Sequence, residues 1–330
     1  MKKTLIAMMV AGTMIAGGCS QKEEQNTPAI DLKNMDLSIN PADDFFRYCN
    51  NNWLKNNPIP EEYTTFGAFT EIDQHNEVLI QDIIKEVSAD VDAVEGSVAQ
   101  KIRDFYNAGM DTAAINERGY SELLPYFEMV DGLNDKADLA ALLGKLHSDG
   151  IGGFFNAGPS ADPKNAEMVI MHLYQGGLSL PDRDDYLTEE SQEMREKYVE
   201  HVANMFQLVG VETETATAKA QAILDFETQL AQNSLSRVER RDPDRTYNKR
   251  SIAELQQSTP NFDWAVYFKN AGAPEFDSLN VGMPDFIAAL NGIILNTDLS
   301  TIKDYLKWKI ILPADQGDSV QKEYDGEGHR

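Results

Sequence analysis

A mainly α, multi-helical fold with one small β-hairpin is predicted by three features of the sequence. Apolar residues recur three and four positions apart through most of the chain after Gln74, and stop signals stand where those stripes end. Only the stretch from Ile151 to Tyr174 breaks the helical spacing. The composition, 42% hydrophobic and 25% charged over 330 residues, is that of a globular chain able to bury a core.

Taken in order, Val78, Leu79, Ile83, Ile84 and Val87 make a first helical stripe. Val98, Ile102, Phe105 and Tyr106, behind a Ser97 cap, make a second, and Leu139, Leu142, Leu143 and Leu146 a third that stops near Gly150. A longer helix is predicted from Thr188 to Leu208 with Gly210 as its stop, and Ile223, Phe226 and Leu230 carry the next. Two short helices, Phe286–Leu295 and Leu299–Leu312, close the helical text. The exception reads as a hairpin: Asp162-Pro163 supplies the turn and Met168 to Leu173 a strand. The methionines at helical spacing are read as core. There is no repeat with a fixed period of 20–50 residues, and no low-complexity linker splits Leu37–Lys309, so one continuous helical unit is expected.

The 29 basic residues face 54 acidic ones, a net charge of -25 spread along the chain. Such a surface repels phosphate backbones, so no nucleic acid partner is expected. Lys2-Lys3, an apolar run from Leu5 to Ile15 and Ala16-Gly17-Gly18-Cys19 have the layout of a secretory signal. The run is too short for the ~20 apolar residues of a spanning helix. A cysteine directly after the small residues resembles a bacterial lipoprotein signal. Residues 1–18 are therefore expected to be cleaved, Cys19 to be lipidated as the membrane anchor, and 19–36 to form a flexible spacer outside the cytoplasm. With Lys2 and Lys3 gone, 27 basic residues face 54 acidic ones, a net -27. With Cys19 acylated, Cys49 has no partner for an internal disulfide and reads as a small buried residue.

No self-contained active site is legible. Helical zinc hydrolases need two histidines four apart with a glutamate beside the first, and none of His75, His147, His172, His201 and His329 satisfies this. Gly177-Leu178-Ser179-Leu180-Pro181 has Pro181 where a nucleophile elbow needs glycine, so Ser179 reads as structural. Gly150-Ile151-Gly152-Gly153 lacks the last glycine of a dinucleotide fingerprint. Acidic pairs such as Asp184-Asp185 are too common in this chain to mark an acid–base couple.

Three blocks are more specific. They are Asp43-Asp44-Phe45-Phe46-Arg47-Tyr48 with Trp53-Leu54-Lys55 and Pro58-Ile59-Pro60; the run from Gly176 to Leu187 (GGLSLPDRDDYL); and the run from Arg240 to Asn248 (RRDPDRTYN). In this order they resemble the N-terminal half of the neprilysin and endothelin-converting-enzyme family of zinc metallopeptidases. Read from the residues, the blocks are packing and turn elements, with Arg183 and Arg241 as candidates for bidentate carboxylate pairs.

The resemblance implies a multi-helical cap lobe over residues 37–310 that walls a peptide cleft and excludes large proteins. It also implies a zinc-bearing C-terminal lobe as partner. The family's His-Glu-x-x-His helix and the rest of its zinc and catalytic residues have no counterpart here, so the cofactor is zinc in the complete family enzyme, with none bound by this chain and no hydrolysis by it alone. Residues 311–330 read as a disordered tail at a truncation or frameshift. Tyr305 and Trp308, beside that point, are candidates for an exposed face that meets the second lobe.

Where mammalian relatives carry an arginine that pairs with a substrate's free carboxylate, this chain reads Thr65-Phe66-Gly67-Ala68-Phe69-Thr70. Thr65, Phe66, Phe69 and Thr70 are the candidate substrate-binding residues, and the carboxylate preference should be missing because neutral hydroxyls cannot form the charged fork. The rival reading is a non-catalytic helical surface lipoprotein that binds oligosaccharide or peptide; Trp53, Trp264 and Trp308 are too scattered to make its aromatic platform.

Overall fold

The computed structural model of the protein describes residues 30–61 and 63–324. The expected signal at 1–18, Cys19 and the first part of the spacer lie outside the described residues, as do 325–330. The structure is mainly α with a minor β element, as the periodicity predicts. It forms two compact units that divide after Asp104, where the sequence leads one to expect a single unit over 37–310.

In the first unit, α1 (Phe45–Asn56) begins where Asp44 accepts the Arg47 N–H at 2.8 Å, the usual role of aspartate before a helix. Asp36 gathers Ser38, Asn51 (2.7 Å) and Lys55 (2.9 Å), and these donors hold its carboxyl well below the usual carboxylate range. α2 (Ala68–Ala89) follows, and then α3 (Val98–Met110), within which the division falls. None of these three helices contains a buried residue. The stripe of Val78, Leu79 and Ile83, expected to face a core, is exposed instead. Cys49 is a free thiol and only half-buried, not the fully buried residue the sequence suggests.

In the second unit, α4 (Thr112–Arg118), α5 (Leu124–Asp131) and α6 (Leu139–Ser148) lead to the hairpin. β1 (Phe155–Asp162) pairs antiparallel with β2 (Asn165–Gln175), Phe155 opposite Gln175, and the turn falls at Asp162-Pro163 as predicted. Asp162 shapes that turn by accepting the Lys164 N–H at 2.9 Å. α7 (Asp184–Leu187), α8 (Gln192–Leu208), α9 (Thr213–Asn233) and α10 (Pro243–Thr246) come next. Gly210 closes α8 from the left-handed region at φ +89°.

The hairpin is not alone. β3 (Lys249–Ser251) and, after α11 (Ile252–Ser258) and α12 (Trp264–Asn270), β4 (Ser278–Val281) complete a four-stranded sheet in the order β1-β2-β4-β3. β4 runs parallel to β2 with Leu173 opposite Val281, and antiparallel to β3.

α13 (Pro284–Asn296) and α14 (Leu299–Tyr324) finish the described chain. α14 contains Pro313 and continues past Leu312, where the sequence stops it; Ile310 and Ile311 are buried. Tyr305 and Trp308 are also fully buried, which corrects the expectation that they form an exposed contact face. Their rings pack inside this unit, Tyr305 stacked on Phe154 at 5.2 Å and Trp308 edge-on to Tyr198 at 6.2 Å. Elsewhere α6 lies so close to α12 that a Cβ on Gly144 would sit 2.5 Å from the Tyr267 carbonyl oxygen, so that crossing requires glycine.

Candidate functional site

The four candidate substrate-binding residues lie together at the start of α2. Thr65 and Phe66 precede the helix, while Phe69 and Thr70 occupy its first turn. Phe66 is held between Trp53, stacked at 6.0 Å, and the edge of Tyr63, also at 6.0 Å, so the ring is packed rather than free. Phe69 is 85% exposed and Thr65 is exposed. No basic side chain takes the place of a carboxylate-binding arginine within this stretch.

The second block, Gly176 to Leu187, is built around a buried carboxylate that the sequence reading does not single out. Glu227 projects from α9 with no exposed surface and accepts hydrogen bonds from Ser179 Oγ (2.6 Å), Tyr186 OH (2.8 Å) and Tyr198 OH (2.8 Å). Lys309 of α14, itself buried, places its Nζ 3.2 Å from Glu227 Oε1 and 2.7 Å from Ser179 Oγ. Trp308 Nε1 donates to the same Oγ at 3.0 Å. Burial pushes the Lys309 ammonium down and, with Glu227 beside them, pushes the Tyr186 and Tyr198 hydroxyls far up, so both phenols stay protonated as donors.

A serine 2.7 Å from a buried lysine invites comparison with a serine–lysine nucleophile, but the valences are full. Ser179 Oγ donates to Glu227 and accepts from both Trp308 and Lys309, so neither lone pair remains to attack a carbonyl. Its place is structural, as its sequence context suggests. Tyr305 adds a clamp by donating to the carbonyls of Gly153 (3.0 Å) and Gly177 (2.8 Å), and Gly177 itself sits at φ +86°.

Arg183 does not form the expected bidentate pair: it donates to the Ser234 carbonyl at 2.7 Å and lies 3.5 Å from Asp184. Arg241 is exposed, and Asp182 is held by Arg237 at 2.6 Å instead. In the third block, Asp242 starts α10 by accepting the Asp244 N–H at 3.0 Å. Buried Asn280 of β4 then accepts from Asn248 N at 2.6 Å and donates to the Thr246 carbonyl at 3.0 Å, pinning the block to the sheet.

The histidines do not assemble. His75 is exposed and His329 is outside the described residues. His147 Nδ1 lies 2.6 Å from Tyr267 OH, and His172 Nδ1 lies 2.8 Å from Tyr174 OH. Among the described residues no group of three His, Cys, Asp or Glu side chains could hold a metal ion, so these residues do not fit a zinc centre.

Burial pushes His147 down to about 4 from its ordinary 6.5. A histidine depressed in the fold keeps its full contribution above pH 6.5 and loses it as the pH falls toward 4, because the unfolded chain binds the proton first. Roughly 2–3 kcal/mol should be lost by pH 4.5 from this group. Thermal midpoints at pH 7 and 4.5 test this: the wild-type drop should exceed that of His147→Gln, and equal drops would rule the histidine out.

The same elements are found in known proteins. The profile described as Peptidase family M13 matches residues 41–324. Endothelin-converting enzyme 1 of Bos taurus is 29% identical over 295 residues, covering 85% of this chain and 38% of the relative. Neprilysin-3 of Drosophila melanogaster is 25% identical with the same coverage of each. The Mycobacterium tuberculosis zinc metalloprotease Zmp1, solved with an inhibitor, superposes with a TM-score of 0.77 at 31% identity, over 90% of this chain and 46% of that one. The chain thus spans less than half the length of these relatives.

Proposed function

The chain belongs to peptidase family M13, and we propose that within it the chain supplies the helical cap lobe of a lipid-anchored zinc metalloendopeptidase that cleaves small peptides. The observation that carries this reading is the order of the three sequence blocks, each serving as a folding element of a helical body. On this reading residues 37–310 are the lobe, and Thr65, Phe66, Phe69 and Thr70 line a peptide cleft. On this reading the zinc belongs to a partner C-terminal lobe that carries the family's His-Glu-x-x-His helix. No helix of the described residues is long and apolar enough to cross a membrane; the anchor in this reading is the lipid expected on Cys19, from the lipoprotein-like signal in the sequence.

The test uses the chain alone and with a polypeptide bearing a His-Glu-x-x-His helix of this family. Alone, with zinc added, it should show no turnover of a quenched peptide. Together, a one-to-one complex should cleave short peptides in a chelator-sensitive way and leave folded proteins intact. Chelator-sensitive turnover by the chain alone would overturn the placing of the metal, and failure to form the complex would overturn the lobe assignment.

A further inference from the structure

Beside the Ser179–Glu227–Lys309 cluster lies a cavity of about 370 Å³, within the range that holds small ligands. The charged residues that line it are Arg183, Arg240, Lys309 and Asp182. Three cations to one acid is unusual in a chain of net charge -25, whose general field repels anions. With the outer partners Arg237, Asp184 and Glu227 counted, four positive groups still face three negative ones.

Two of the cations are under-committed. Arg183 has five N–H donors; one goes to the Ser234 carbonyl and its buried Nε lies 3.5 Å from Asp184 Oδ1 without a hydrogen bond, so its remaining terminal N–H groups are uncommitted. Arg240 reaches Asp182 only at 3.9 Å, beyond hydrogen-bond length, because Arg237 already holds that carboxylate at 2.6 Å. Lys309 is 5% exposed and held by Glu227 and Ser179, so it lines the cavity as a buried group that cannot turn away to solvent. Unspent guanidinium donors lining one cavity with a buried lysine are groups that recognise planar or tetrahedral oxygen anions.

We propose that this cavity, lined by Lys309, binds a small oxyanion of the phosphate or carboxylate class, with Arg183 and Arg240 as donors. The site is part of this unit and does not depend on the peptidase reading.

Isothermal titration of the full chain in chloride buffer, with inorganic phosphate and separately with citrate, tests it. One saturable site is expected for at least one anion. The stronger of the two identifies the occupant as phosphate-like or carboxylate-like. Arg240→Gln should weaken binding about tenfold or more, because a hydrogen bond to a charged group is lost. Arg240→Lys, which keeps the charge but not the fork, should fall between. Arg240 makes no side-chain hydrogen bond among the described residues, so neither change should disturb the far-ultraviolet circular dichroism. Arg118→Gln, on exposed α4, should leave affinity unchanged. No saturable heat with either anion, or equal affinity in Arg240→Gln, would overturn the proposal.

Discussion

Replacing Glu227 with alanine should lower the stability of the second unit by about 3–5 kcal/mol, the usual cost of removing one partner from a buried ion pair. The residue has no exposed surface, and its loss leaves the Lys309 ammonium buried 3.2 Å from a vacated carboxylate position. It also strips the acceptor from Ser179, Tyr186 and Tyr198 at once. At roughly 2–4 °C per kcal/mol for a unit of this size, the thermal midpoint should drop by about 10 °C. The double variant Glu227→Leu with Lys309→Met removes both charges. It should be less destabilised than the sum of its single variants, because each single change strands the other's charge. A strictly additive pair would show that the ion pair contributes nothing beyond its separate contacts.

Trp264→Ala should cost a similar 3–5 kcal/mol, for a different reason. The ring is 2% exposed and forms the centre of an aromatic group, with Phe262 at 4.7 Å, Phe155 at 5.2 Å, Tyr267 at 5.8 Å and Phe268 at 5.9 Å. A side chain removed from such rigid neighbours leaves a void they cannot close. Its Nε1 also donates to buried Thr259 at 2.6 Å. Trp264→Phe keeps most of the packing and loses mainly that bond, so it should cost about 1 kcal/mol beyond the smaller ring. Urea unfolding with an unchanged slope is the measurement. Equal midpoints for Trp264→Ala and Trp264→Phe would show that packing is not the source of the stability.

The longer helices with clear apolar stripes and the turn at Asp162-Pro163 were legible because they follow from spacing and from residues with fixed backbone habits, while α1 and short helices such as α4, α11 and α12 were not singled out. β3 and β4 were not, since strands of three and four residues carry too few positions to show a period of two. The exposure of Val78, Leu79 and Ile83 was also hidden, because a stripe tells which face is apolar and not what covers it.

Glu227 was missed although a signal existed. It stands between Phe226 and Leu230, four residues after Ile223, on the apolar face of its own helix. Lys309 follows Trp308 in the same way. A charge set into an apolar stripe is costly unless paired, so two such charges on separate helices are candidates for each other. The candidate substrate-binding residues Thr65, Phe66, Phe69 and Thr70 were singled out by the resemblance alone, and the stacking that fixes Phe66 on Trp53 depends on folding.

The clamp formed by α14 also sets the order in which this chain can mature. Ser179 and Lys309 are 130 residues apart, and at roughly 5–20 residues per second a ribosome needs on the order of 10 s to travel between them. During that interval the growing polypeptide holds Gly153 and Gly177 without the Tyr305 hydroxyl and, once Glu227 is made, that carboxylate without its ammonium. The earlier helices can form as local segments, but their shared interior stays open until the last helix emerges and closes it. Packing around Ser179, Glu227 and the two glycine carbonyls therefore waits for α14 to be synthesised.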